Sequence, residues 1–190
     1  MYEVEFKADV TGMVHIERRI AVCGAGYRGE MVYHDRYYDT PDGNLVNSDC
    51  ELRLRVCSGS RSFSLLTYKS GPFHAQSRSK EEHETDVADP EAMARILGEL
   101  GFVPVCTLVK RCTRHTLERA GCTVDLTLAS VDGVSGRYLE LEIPTSDASQ
   151  VACSCGILRG LLDELGIPGH RLTTECYTEM VARHAGEFPR

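Results

Sequence analysis

The chain reads as an α+β protein: an antiparallel, closed or nearly closed β-barrel with helices packed outside and a charged lumen. Three observations predict this. The first is the stretch Glu3-Val4-Glu5-Phe6-Lys7, in which charged and apolar side chains alternate; in a strand, a period of two places Glu3, Glu5 and Lys7 on one face. The second is recurrence. Arg53 and Arg55 alternate with Leu52, Leu54 and Val56, Lys80, Glu82 and Glu84 share a parity, and Glu140 and Glu142 alternate with Leu139, Leu141 and Ile143. The third is that the opposite face of these strands is aliphatic. One such strand need only turn its polar face to solvent, whereas a set of them describes a barrel turned inside out, polar within and apolar without.

The elements follow in order. After the opening strand, Met13, Ile16, Ile20 and Cys23 fall at helical spacing, with Gly24-Ala25-Gly26 as a stop. Residues 31–39 alternate as a strand through Val32, His34, Arg36 and Tyr38, and Thr40-Pro41-Asp42-Gly43 is a turn. Residues 50–57 and 61–69 form a hairpin about Ser58-Gly59-Ser60, with Phe63, Leu65, Thr67 and Lys69 on one face. The Gly-, Pro-, Ser- and His-containing loop from Ser70 to Ser79 reads equally as a lid or as a surface connection.

Residues 80–88 are a strand. Asp89-Pro90-Glu91 starts a helix by capping, proline and acid at its positive end, and Met93, Ile96, Leu97 and Leu100 are its expected buried face. Strands follow at 105–117, carrying Lys110, Cys112 and Arg114 on one parity, at 121–128 with Thr123, Asp125 and Thr127, and around Glu140 and Glu142. From Ser146 to Gly166 the pattern is helical, and a last helix over about 174–184 packs Tyr177, Met180 and Val181.

The 190 residues fit one domain spanning 1–190. A net charge of −7 argues against a general nucleic-acid binder, whose footprint is basic, while leaving room for a local anion-binding field. The nine cysteines show no Cys-x-x-Cys spacing, which speaks against a zinc or redox motif. Their odd number, and the lack of a signal-like or membrane-spanning apolar run, favour a reducing cytoplasm. A homodimer is compatible with the sequence.

The ordered set Glu3-x-Glu5-x-Lys7, Tyr37-Tyr38-Asp39-Thr40-Pro41, Leu52-Arg53-Leu54-Arg55, Leu66-Thr67-Tyr68-Lys69, Glu140-Leu141-Glu142 and Tyr177 resembles the CYTH superfamily of triphosphate tunnel enzymes across nearly the whole chain. The segment from Leu66 to Pro72 and the strand from Lys80 to Glu84 most resemble its class IV adenylyl cyclase branch. The resemblance implies a triphosphate tunnel acting on a nucleoside triphosphate or inorganic triphosphate, with ATP to cyclic AMP and pyrophosphate as the leading reaction. Hydrolysis of inorganic or thiamine triphosphate is the alternative.

The charged faces suit that chemistry. Burying many ionised groups is costly without partners, and a triphosphate supplies a row of anions for guanidinium forks and ammonium groups. Lys7, Arg53, Arg55, Lys69, Lys80, Lys110 and Arg114 are the expected phosphate grips. Carboxylates repel the same ligand: two unit charges about 4 Å apart cost roughly 4 kcal/mol at an effective dielectric near 20. A cation between them is therefore expected, and hard oxygen donors suit Mg²⁺ or Mn²⁺. By position and resemblance Glu3, Glu5, Asp125, Glu140 and Glu142 are the expected ligands, with Lys7, Glu5 and Asp125 nearest the reaction.

Glu82 and Glu84 read as metal ligands or as groups that orient neighbouring Arg and Lys side chains. Cys112 stands where the family usually carries a second basic residue, with Arg111 facing out and Arg114 one inward step further on. This departure admits a third class, a non-catalytic polyphosphate or nucleotide binding module, against which the retained acidic pairs count. His115, at an outward parity, is expected at the surface.

Overall fold

The computed structural model describes residues 1–71 and 80–185, so residues 72–79 of the Ser70–Ser79 loop lie outside the described residues. In chain order the elements are β1 (Tyr2–Asp9), α1 (Ile16–Val22), β2 (Gly26–Asp39), α2 (Asn44–Asn47), β3 (Glu51–Gly59), β4 (Phe63–Lys69), β5 (Lys80–Asp86) and α3 (Pro90–Glu99). There follow β6 (Val103–Arg119), β7 (Cys122–Val131), β8 (Tyr138–Thr145), α4 (Val151–Glu164), β9 (Leu172–Thr173) and α5 (Tyr177–Ala185). No described helix is long and apolar enough to cross a membrane.

All strand pairs are antiparallel, in the order β5-β4-β3-β2-β6-β7-β8-β1, and β1 returns to β5 to close the barrel. Closure rests on two residue pairs, Tyr2 opposite Glu81 and Glu3 opposite Lys80. The short β9 joins the same edge of β1 at Lys7 and Ala8. Between these two contacts that edge of β1 has no strand partner among the described residues. The β3–β4 hairpin is tight where β3 ends: Gly59 has φ +123°, and a Cβ there would collide with the Glu30 carbonyl, so only glycine fits.

The outer wall is the principal core. Val4, Phe6 and Ala8 of β1, Val124, Leu126 and Leu128 of β7, and Leu139, Leu141 and Ile143 of β8 pack under Ile16 and Ile20 of α1 and Leu158, Leu161 and Leu165 of α4. This is the aliphatic parity of the strands, covered by two amphipathic helices. A second outer cluster sets α3 on Tyr38, Leu52, Leu54 and Val87. Asp89 caps α3 by accepting from the Ala92 N–H at 2.8 Å. The expected buried face of α3 is narrower than its periodicity suggests: Leu97 is buried, whereas Ile96 and Leu100 are 51% and 69% exposed.

Two features depart from the sequence reading. Helix α2 is new, and the buried Asp39 organises it, accepting from the N–H groups of Thr40, Leu45 and Val46 at 2.7 to 2.9 Å. Helix α5 does not lie on the outer wall. Its Tyr177 and Met180 pack with Met31, Cys112, Ala129 and Val131, which share the inward parity of their strands, and so fill one end of the lumen.

Candidate functional site

The lumen is a cavity of about 530 Å³, within the range of small-molecule sites. Every expected site residue lines it: Glu3, Glu5, Lys7, Arg53, Arg55, Lys69, Lys80, Lys110, Arg114, Asp125, Glu140 and Glu142. Strand register arranges them in rows around the wall. Glu5, Glu142 and Asp125 stand side by side on β1, β8 and β7, and the next row runs Lys7, Glu140, Thr127 and Arg114 on β1, β8, β7 and β6.

Opposite these rows, the β2–β3 wall carries a forked pair. Arg55 donates through Nε and Nη2 to the two oxygens of Asp35 at 2.6 and 2.7 Å, and its guanidinium lies 4.2 Å from the Tyr33 ring centroid. Further pairs follow: Lys110 with Glu140 at 2.7 Å, Lys69 with Glu3, and Lys69 with Glu82 at 3.5 Å. Lys80 donates to the Asp49 carbonyl and carboxylate and to Glu51 at 2.6 to 3.1 Å. Arg114 approaches Asp125 at 3.9 Å and is the most open of the site cations.

Two cations are left over. Arg53 forms no ion pair among the described residues, and its buried Nε has no hydrogen-bond partner. The Lys7 ammonium also forms no ion pair among the described residues and instead stands over the Tyr177 ring, 4.5 Å from its centroid. Acids stand near both, Asp35, Glu51 and Glu82 around Arg53 and Glu140 and Glu5 around Lys7, yet neither is tied into a short ion pair, so both keep donors that a lumenal anion can use.

The acids divide by environment. Burial raises the Glu5 carboxyl, and the charges of Glu140 and Glu3 raise it further. Glu142 is pushed well above its ordinary range by burial and then by Glu3, Glu5 and Glu140. Glu3 and Glu140 also feel burial, but Lys69 and Lys110 respectively hold them low. Burial lifts Glu82 to about 7 against the pull of Lys69, and Glu84 accepts from the Thr67 hydroxyl at 2.8 Å. Glu5 and Glu142 are therefore the acids whose ionised form the lumenal cations compensate least. Among the described residues, no three Asp, Glu, His or Cys side chains converge closely enough to hold a metal on their own.

Sequence reasoning missed Tyr33, Asp35 and Glu51 and gave Tyr37 and Tyr177 as family landmarks without a place in the site; all five line the lumen or pair within it. On β2 both parities carry polar groups, His34 and Arg36 on one and Asp35 between them, so alternation alone did not reveal the inner face. Tyr177 comes from a helix, where a period of two gives no signal. His115 is corrected: it points outward but is 8% exposed, set edge-on under Tyr27 at 5.7 Å, and burial lowers its pKa. Arg111 does face out, bound to Asp132 at 3.0 Å. Cys112 is buried beside Lys110, and burial lifts its thiol to about 11, so the position adds no charge to the lumen. All nine cysteines are free thiols.

An eight-stranded antiparallel barrel with a lumen of alternating cations and carboxylates defines a triphosphate-tunnel fold. The CYTH domain model matches residues 1–177, and the chain belongs to the CYTH family. A Methanocaldococcus jannaschii protein named putative adenylate cyclase is 26% identical over 180 residues, covering 95% of this chain and 98% of the relative. The solved PH1819 protein of Pyrococcus horikoshii OT3 superposes with a TM-score of 0.84 at 24% identity, covering 95% and 98% of the two chains. A Hippeastrum protein, described as a putative adenylyl cyclase with a dominant triphosphatase activity, has a TM-score of 0.64 at 20% identity, over 99% and 97%.

Proposed function

We propose that this chain binds a nucleoside triphosphate in the lumen with a divalent cation, and that it converts ATP to cyclic AMP and pyrophosphate. The observation that carries the reading is that Arg53 and Lys7 form no ion pair among the described residues and share the lumen with the acid row of Glu5, Glu142 and Asp125. A polyphosphate with its cation satisfies both. Phosphate oxygens accept from Arg53, Lys7 and the half-open Arg114, while Arg55, Lys69 and Lys110, already paired, supply positive field without having to release their carboxylates.

The acid row fits Mg²⁺ or Mn²⁺, because such ions bind through one or two carboxylates and complete their shell with water and substrate phosphate. Glu5 and Glu142 are the leading holders, with Glu3, Glu140 and Asp125 around them. When bound, the cation would neutralise phosphate charge and polarise the phosphorus centre. The chain's own part is placement and charge. The ribose 3′-hydroxyl oxygen bonds to the α-phosphorus and gives its proton to a carboxylate of the acid row, where Glu5 and Asp125 flank Glu142, while the bond from the α-phosphorus to the bridging oxygen breaks and Lys7 and Arg53 stabilise the charge that grows on the departing pyrophosphate.

Apolar Phe63 and Leu65 also line the lumen, next to Cys57 and Arg55 in register. A nucleoside can use such surface and an inorganic triphosphate cannot, which favours a nucleotide. The second reading, hydrolysis of a terminal phosphate, draws support from the activity described for the Hippeastrum neighbour. A product survey with ATP, inorganic triphosphate and thiamine triphosphate under Mg²⁺ and Mn²⁺ tests both. Cyclic AMP from ATP is expected; orthophosphate alone, formed fastest from inorganic triphosphate, would replace the cyclase reading by the hydrolase.

A further inference from the structure

Lys7 and Glu140 are register partners on β1 and β8 with both side chains on the lumenal face. Opposite charges placed this way ordinarily form a cross-strand ion pair. Here they do not. Glu140 accepts from Lys110, reaching from β6 at 2.7 Å, and the Lys7 ammonium rests on the Tyr177 ring, 4.5 Å from its centroid.

The ring is well placed to hold it. Tyr177 is 7% exposed, Met180 on the next turn of α5 is 1% exposed, and Tyr138 meets the Tyr177 ring edge-on at 5.6 Å and 80°. The same ring has Lys110 5.1 Å from its centroid. A ring face attracts an ammonium through its quadrupole but accepts no conventional hydrogen bond from it, so the N–H donors of Lys7 stay available. A carboxylate in the same place would take both charge and donors. Lysine is also a flexible stem with a strongly hydrated head, so fixing the head in advance removes part of the ordering cost of binding.

We propose that Tyr177 is a positioning residue for phosphate binding. Its ring, fixed by α5, keeps the Lys7 ammonium out of a neutralising pair with Glu140 and presents it, together with Lys110, to a bound triphosphate. This rests on the reading of the lumen as a triphosphate site.

The test is calorimetric binding of inorganic triphosphate in Mg²⁺ by wild type, Tyr177→Phe, Tyr177→Leu, Lys7→Met and the Tyr177→Leu/Lys7→Met double variant. Tyr177→Leu should weaken binding about tenfold, and Tyr177→Phe, which keeps the ring, should recover most of that loss. In the double variant the loss should fall well short of the product of the two single losses, because the ring acts largely through Lys7. Fluorinated phenylalanines at position 177 keep the ring's shape while draining its quadrupole, and affinity should fall stepwise with fluorine count even if Tyr177→Leu folds poorly. A flat fluorine series, or single losses that multiply, overturns the proposal while leaving the triphosphate site standing. Wild-type protein that binds no triphosphate overturns both.

Discussion

Glu5 and Glu142 stand directly opposite one another on β1 and β8, two half-buried carboxylates at one register position of the lumen wall. Like charges so placed oppose folding. Both carboxyls are raised, first by burial and then by neighbouring acids. In the folded chain each therefore keeps its proton at pH values where the unfolded chain, titrating near 4.5, has lost it. This pair's contribution to metal-free stability should be fully present below that value and be lost as pH rises through the raised values. Glu142→Gln should flatten the decline and raise the metal-free melting temperature at neutral pH by roughly 3–6 °C. Thermal melts from pH 4 to 8 measure this, and a decline as steep as wild type would count against it.

The same two carboxylates predict how metal enters. Binding Mg²⁺ or Mn²⁺ should release protons at pH values above the ordinary carboxyl range at which these raised carboxyls still hold them, seen as a binding heat that depends on the ionisation enthalpy of the buffer. Glu5→Gln or Glu142→Gln should weaken metal affinity about tenfold or more. Metal titration curves of these variants that match wild type at full activity would remove the ligand assignment.

Arg53 and Arg55 sit two residues apart on one strand face but should respond differently to loss. The Arg53 Nε has no partner, so Arg53→Ala should cost about 2–3 kcal/mol of triphosphate binding with little change in stability. Arg55 is forked to Asp35, which is 1% exposed, so Arg55→Ala strands a buried carboxylate and should cost about 3–5 kcal/mol of stability as well. Urea unfolding beside calorimetric binding separates the two.

Lys80 lines the lumen, yet its ammonium is bound to Asp49 and Glu51, and burial of Glu51 is outweighed by Lys80 and Lys69, which hold its carboxyl down to about 2. Lys80→Met should therefore act first on stability, at about 3 kcal/mol, by freeing the connection between α2 and β3. A variant that melts like wild type but loses phosphate affinity would restore Lys80 as a direct grip.

How much of this was legible in the sequence depends on one physical signal. Where a strand buries aliphatics outward and charge inward, as at Glu3 to Lys7 or Leu139 to Ile143, the period of two displays the inner face, and the whole expected set does line the lumen. Where both faces carry polar groups, as on β2, Asp35 and Tyr37 are hidden. Pairing is hidden too: that Lys110 reaches Glu140 while the nearer Lys7 does not depends on barrel closure and on the Tyr177 ring. The burial of His115 depends on Tyr27, its register partner across β2 and β6, despite a parity that points it outward.

In the proposed reading ATP lies in the lumen with its α-phosphorus at the acid row and its β- and γ-phosphates among the cations. ATP labelled separately at the α- and γ-positions is incubated with the purified protein and Mg²⁺ or Mn²⁺. The expected products are cyclic AMP carrying the α-label and pyrophosphate carrying the γ-label, both lost in Arg53→Ala and Glu142→Gln. Orthophosphate carrying the γ-label, with the α-label in ADP and no cyclic AMP, would contradict that reading.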